Sequence, residues 1–491
     1  MVNSNLAYKT DATPEPEVII DESPLKWCSV SLSDVVSQGK RLEATAFDVV
    51  AIESANVIRQ CKYGYHKLTD DDQISSAVHA PRFKRNYVEK NHPDAIGFLG
   101  SSEMLDVKPT ATKFICKSLA HKLDLYADIG TVLLSCSGTI GNVSYIGKSQ
   151  LPFSYSQHII KIICRENSGY IYTCLKHSLI HRQILSLVYG AVIQEIEPEH
   201  LSGVIIPNAP GEIKKKINDL IVSSYELRDE SNELIDKATA LLKAELQLPD
   251  INAFDVELYK KKAPVDTFSV KLSDMSGRLD ASYHVPIVDA LTEHLKKYAE
   301  EVTTVGDARI SKNIILAGIF KRTYVDEEYG YPFLGGKEIT QLSPVTEKFL
   351  SKTIHKQRYE KELKVEENTI LVTDRGSIGI TAMVPKHWNG YAVSQNVLKV
   401  IPASNAIAGY LYIYLNSEFG HTLICRQTYG SVVDMIDSNS LSDVEIPLLK
   451  NHEIQKQIND LALEANQKRY EADHLEQEAL KIMDAEVIYA K

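Results

Sequence analysis

TVLLSCSGTIGN, residues 131–142, and TILVTDRGSIGI, residues 369–380, are two versions of one pattern. Each is a β-branched apolar run ending in a small-residue turn, Ser137-Gly138-Thr139-Ile140-Gly141 in the first and Arg375-Gly376-Ser377-Ile378-Gly379 in the second. Such runs read as strands and such glycines as a turn. Other matches follow in the same order at a nearly constant offset. Val30-Ser31-Leu32-Ser33-Asp34 matches Val270-Lys271-Leu272-Ser273-Asp274, and Arg41-Leu42-Glu43-Ala44 matches Arg278-Leu279-Asp280-Ala281. Phe83-Lys84-Arg85-Asn86-Tyr87-Val88 matches Phe320-Lys321-Arg322-Thr323-Tyr324-Val325. Ser156-Gln157-His158 matches Ser394-Gln395-Asn396, Tyr189-Gly190 matches Tyr429-Gly430, and Ile217-Asn218-Asp219-Leu220 matches Ile458-Asn459-Asp460-Leu461. The chain is a tandem repeat of one unit.

Each unit has two parts. Residues 27–210 and 267–450 mix β-branched runs such as HIIKIIC and VLKVI with helical patterns such as YIYTCLKHSLIHRQILSLV, which predicts two α/β (α+β) globular heads. Residues 211–246 and 451–491 each predict one long helix. Ile217, Leu220, Ser224, Leu227, Ser231, Leu234, Ala238 and Leu241 step alternately by three and four, as do Ile458, Leu461, Ala465, Lys468, Ala472, Leu475, Ala479 and Ile482. That is a heptad seam over about four heptads, a rod of roughly 40 Å. The serines and Lys468 predict small-residue packing in place of a tight zipper. One such helix cannot bury its seam alone, so the two are expected to pair as an antiparallel coiled coil with an internal pseudo-two-fold, a head at either end. Residues 247–266 form the linker, and 1–26 a polar leader. Separate docking of each helix on its own head is the alternative.

Composition narrows the function classes. At 491 residues with 44% hydrophobic and 24% charged content, the chain is globular and long enough for several cores. No run is apolar enough for a membrane helix, and the acidic N-terminal stretch lacks a secretion signal's apolar region. Seven cysteines without a CxxC pair predict reduced thiols and a cytoplasmic setting. The net charge of −11 argues against nucleic acid. Its acid excess, however, sits mostly in the leader and the helical segments, leaving room for a basic face on the heads.

No phosphate loop, dinucleotide fingerprint, HExxH or GxSxG occurs, so the chain is expected to be non-catalytic and to hold neither cofactor nor metal. Binding fits better. Lys84-Arg85 with Tyr87, and Lys321-Arg322 with Tyr324, are basic–aromatic clusters suited to phosphate and sugar; a solvated surface with a half-buried tyrosine is the plain alternative. The glycine turns let backbone approach a ligand, with Thr139 and Ser377 as hydroxyl donors, although a hairpin turn explains the glycines equally. The copies differ where Ser137 stands opposite Arg375 and His158 opposite Asn396. Arg reads guanine and Asn reads adenine. One scaffold with changed polar tips thus suggests two heads reading different sequences. Gln157, Gln395, Tyr189, Tyr429 and Lys337 complete the expected DNA-binding set.

The order head, long helix, head, long helix resembles the specificity subunit of type I restriction–modification systems. So do TILVTDRGSIG, the Ser394-Gln395-Asn396 step, the YGSVV run, and Ile446-Pro447 before the EIQKQINDL helix. The resemblance implies two target recognition domains reading a bipartite, asymmetric double-stranded DNA site. It implies a helical rod setting the gap and docking two DNA adenine methyltransferase subunits, which would carry S-adenosylmethionine, and a motor–nuclease restriction subunit joining them. A rod of about 40 Å spans about twelve base pairs. Two other readings remain: a two-headed protein-binding scaffold without DNA selectivity, and the recognition chain of a type II-like restriction–methylation enzyme.

Overall fold

The computed structural model describes residues 30–37, 41–190, 194–254, 268–275, 277–344, 348–430 and 433–490. The leader and most of the 247–266 linker lie outside the described residues.

The two heads repeat one topology. In the first, strands Ile74–Val78, Ile159–Cys164, Val132–Ser135 and Val143–Tyr145 lie side by side in that order as an antiparallel sheet. In the second, Ser311–Ile315, Val397–Pro402, Ile370–Thr373 and Thr381–Met383 do the same. A second sheet in each head contains one parallel pair, Ala95–Leu99 with Phe153–Tyr155 and Gly330–Leu334 with Ala392–Val393. The central strands are buried on both faces, which is why VLLS and ILVT read as continuous apolar runs. The helical stretch after residue 168 is two helices, Ser168–Lys176 and Ser178–Ser186, because His177 leaves the helical conformation and its Nδ1 caps Leu179 N–H. Ser417 breaks the second head's helix at the equivalent place, capping Gly420 N–H.

The long helices, Gly211–Glu245 and His452–Ile482, pair antiparallel along their length. Lys216 meets Glu486 and Lys468 meets Glu230, so numbers rise on one helix as they fall on the other. Ser224, Ser231, Ala465 and Ala472 are fully buried, and Ser224 Oγ donates to Ala472 O at 2.7 Å. Only small residues allow backbones so close. Ile217, Ile458, Leu461 and Ile482 are buried, whereas Leu220, Leu227, Leu234, Leu241 and Leu475 are half-buried on the seam's flanks. Lys468 lies at the rim, where water solvates part of its ion pair.

Each helix also serves both heads. Ile217, Ile221 and Tyr225 join the core of the first head, which also takes Ala479, Ile482, Met483 and Val487 from the end of the second helix. Ile235, Ala238, Leu242 and Leu246 join the core of the second head together with Ile458, Leu461 and Ala465. Full burial of one such aliphatic side chain contributes about 1.5–3 kcal/mol. The rod is thus part of both cores. It is also tied to the first head by charge: Glu476, with no exposure, pairs with Lys176 of that head and Arg228 of the facing helix. The repeated Ile-Asn-Asp-Leu step has a structural role. Asn218 Oδ1 accepts from Gly169 N–H at 3.0 Å and Asn459 Oδ1 from Gly409 N–H at 2.9 Å, pinning each rod helix to the start of a head helix.

The heads are not confined to the ends of the rod. A loop from each reaches its middle, where Val107 N–H donates to Thr340 O at 3.0 Å. Rod packing buries the helices' flanks as well as their seam, and this draws the heads inward.

Candidate nucleic-acid interface

In each head the duplicated phrase forms a hairpin whose tip projects into solvent. Val132–Ser135 pairs with Val143–Tyr145, and Ile370–Thr373 with Thr381–Met383. Ser135 Oγ braces the first turn by donating to Thr139 O and accepting from Asn142 N–H at 2.9 Å. Thr373 Oγ1 does the same between Ser377 O and Ile380 N–H, the latter at 3.0 Å. Gly138 and Gly376 take φ of +80° and +74°, and a Cβ on either would meet nothing within 4 Å. Their glycine character therefore answers the backbone angle, leaving an open tip that a ligand's backbone can approach. Gly138, Thr139, Gly376 and Ser377 are exposed there.

The other expected residues gather around these tips. Cys136 N–H donates to His158 O at 2.9 Å and Asp374 N–H to Asn396 O at 3.2 Å, which sets His158 beside Ser137 and Asn396 beside Arg375. Ser137 and Tyr189 both bridge to Glu195, as Arg375 and Tyr429 both bridge to Met435. The basic–aromatic segment closes the face. Arg322 Nη2 donates to Gln395 Oε1 at 2.7 Å, and its guanidinium lies over the Phe333 ring at 5.3 Å. Arg85 takes the same position over Phe98 at 5.8 Å. Lys84 and Lys321 are exposed; Tyr87 and Tyr324 are 45% and 41% exposed, each against a phenylalanine, with the Lys113 ammonium also over the Tyr87 ring at 5.6 Å. Fixed guanidiniums, free ammoniums and half-open rings are what phosphate and base contact require.

The tips differ in chemistry. Arg375 is held by Nε and Nη2 on Asp374 Oδ2 at 2.9 and 2.7 Å, and Asp374 is fully buried with its other oxygen unpaired. The hydrogen bonds that Arg375 donates to Asp374 push its guanidinium further above its ordinary value and orient it. In the first head, burial and then the Arg85 charge hold the His158 imidazole below its ordinary value, so it is neutral at neutral pH and can both donate and accept. Ser137 is buried, with the exposed Arg82 reaching Glu195 nearby at 2.6 Å. Tyr189 Oη donates to Glu197 at 2.7 Å and Tyr429 Oη to Asp437 at 3.2 Å. These acids, and the bracing Ser135, Thr373 and Asp374, were missed in the reading of motifs. Their signal was position: each stands one or two residues from a turn residue or eight beyond the tyrosine.

A cleft of about 600 Å3 opens between the heads. Gly138, Thr139 and Gln194 line it from the first head, and Arg322, Tyr324, Lys337, Lys348 and Asn396 from the second. The turn of one head thus shares a solvent channel with the basic–aromatic segment of the other. As for metals, His66, Asp70 and Asp72 lie close enough to share an ion, on an exposed turn. The equivalent turn of the second head is closed by Arg309 on Glu301 and Asp307. No described helix is long and apolar enough to cross a membrane.

A family model for the type I restriction modification DNA specificity domain matches residues 80–237 and 313–462, one stretch in each repeat and more than half of the chain together. Among solved structures, the S subunit of the type I restriction–modification system from M. genitalium is similar at 14% identity, over 87% of this chain and 95% of that chain, with a TM-score of 0.33. The HsdS subunit from Thermoanaerobacter tengcongensis is similar at 12% identity, over 86% and 95%, with a TM-score of 0.26. No curated protein matches.

Proposed function

We propose, on the premise that this chain belongs to the type I restriction–modification DNA specificity family, that each head reads one half of a bipartite, asymmetric duplex target. The observation that carries this reading is the exposed turn presented twice on the same scaffold with its polar partners changed, Ser137 and His158 against Arg375 and Asn396. In the second head the charged, oriented Arg375 would read guanine and Asn396 adenine, each good bidentate pair giving about 1–3 kcal/mol of discrimination. Lys84, Lys321 and Lys337 would contact phosphate, and Tyr87 and Tyr324 sugar or base faces.

Methyl transfer and cleavage would belong to partners. The half-buried leucines on the flanks of the rod, Leu227, Leu234 and Leu475, would dock two DNA adenine methyltransferase subunits, which carry S-adenosylmethionine, and a motor–nuclease subunit would join that assembly. In this reading the chain supplies specificity and spacing and holds no cofactor. A type II-like arrangement differs only in how the catalytic partner is built.

A binding selection on random duplex DNA, with and without the methyltransferase, tests the reading. Two short motifs at a fixed gap are expected. No enriched sequence even with the partner present would favour a two-headed protein scaffold, a reading that the acids Glu195, Glu197 and Asp437 around the tips support.

A further inference from the structure

The contact between the heads is built from equivalent parts. Residues 102–108 of the first head and 337–343 of the second are the same loop of the repeat. Glu103 accepts from Gly100 N–H at 3.0 Å and Glu338 from Gly335 N–H at 2.8 Å. Where the loops meet, Asp106 bridges to Gln341, its own counterpart in the other copy. Val107 N–H donates to Thr340 O at 3.0 Å, and Thr340 Oγ1 donates to Asp106 Oδ1 at 2.5 Å. A residue facing its own equivalent marks a two-fold axis, which here lies within one chain.

The loops are also fastened to the rod. Asn232 Nδ2 donates to Val107 O at 2.8 Å, Lys108 pairs with Asp236, and Ser343 Oγ donates to Asp473 Oδ1 at 2.6 Å. Rod and loops together give each head two points of support, one on the helix axis and one off it. A head held only along the rod can rock about it; one held also by the loop cannot rock without breaking these bonds. The distinction matters at the scale of one base pair, which shifts two half-sites by about 3.4 Å and turns one against the other by about 35°.

We propose that the loop contact of Asp106–Val107 with Thr340–Gln341 is a latch that fixes the separation and facing of the two heads, and so sets the single gap at which both halves of a target are accepted. Its effect on the gap rests on the DNA-specificity reading; its effect on the heads does not. Helix length alone would then set only the mean gap, and the latch its tolerance.

The full-length chain carrying Thr340→Asp, which sets a carboxylate against Asp106, tests this alongside Thr340→Val, which removes only the hydroxyl. Two readouts are needed: hydrogen exchange across 102–108 and 337–343, and the gap recovered by selection on random duplex DNA. For Thr340→Asp the latch predicts exchange faster by roughly tenfold in both loops. It also predicts the same two half-motifs, now recovered at gaps one base pair shorter and longer as well. Thr340→Val is expected to move both readouts in the same direction, less far, and decides the matter if Thr340→Asp does not fold. Unchanged exchange in both loops overturns the latch. Faster exchange with an unchanged gap overturns its role in spacing. Should the wild-type chain select no split motif, the DNA reading falls and exchange alone decides whether the heads are latched.

Discussion

Buried charge is where single residues in this chain matter most. Burial alone would push the carboxyl of Glu476 up, but Lys176 and Arg228 outweigh it and hold it below its ordinary value. A depressed carboxyl contributes stability above the ordinary carboxylate range and loses it as pH falls through the folded value. Glu476→Gln leaves two cations unpaired inside the protein and is expected to cost about 3–5 kcal/mol, read by denaturant unfolding. The mutant should also lose part of the wild-type chain's acid sensitivity. Asp106 has the opposite sign. Burial between the heads, with Glu103 adding, pushes its carboxyl up to about 7. Asp106 shares the lining of a small cavity with Lys176, His181 and Arg228. The contact therefore weakens as pH climbs from the ordinary carboxylate range to about 7 and changes no further above that. Exchange in its loops, corrected for intrinsic rate, should be faster at pH 8 than at pH 5 in the wild type and equal in Asp106→Asn. Neither residue was legible in the sequence. Glu476 falls outside the seam positions, and Asp106 matches Gln341 in no recognisable motif, because both owe their roles to partners far away in the chain.

Elements were far more legible. Continuous β-branched runs and the three–four stepping led directly to strands and helices, since a strand buried on both faces is apolar throughout and a packed helix repeats its buried face every three or four residues. The seam shows what that reading leaves out. It finds the residues between two helices, whereas Tyr225 and Asn232 are buried because the first head covers the helix from another side. Close approach at the helix starts gives a sharper test. A Cβ on Gly169 would lie 2.8 Å from Asn218 O, and one on Gly409 would lie 2.2 Å from Asn459 O, both backbone atoms that can move only with the rod. Gly169→Ala and Gly409→Ala are each expected to destabilise by about 1–3 kcal/mol, the second more than the first. Thermal unfolding of the two mutants orders them. The glycine in the step at 169 and 409 was invisible as a motif because its partner, the rod asparagine, lies some fifty residues on in each copy.

For the whole molecule, the duplication was plain from the chain's match to itself, and with it the head–rod–head–rod order. That the heads touch was not, since nothing in a tandem repeat says how far a loop reaches. An internal two-fold carrying different tips predicts modular behaviour. Exchange of the second head for a relative's, keeping 337–343 native so that the loop contact survives, should alter one half of the target and leave the other half and the gap intact. Charge gives an independent check. With a net charge of −11, the proposed reading leaves phosphate contact to a few cations, so Lys84→Ala or Lys321→Ala should weaken binding to all sequences and lower the salt slope by about one.

The most direct measurement compares the targets selected by the wild-type chain and by Arg375→Ala with Asn396→Ala, under the same salt and with the same partner. The account predicts that one half-motif becomes degenerate while the other half and the gap are unchanged. Both halves surviving intact, or both degrading together, would contradict it.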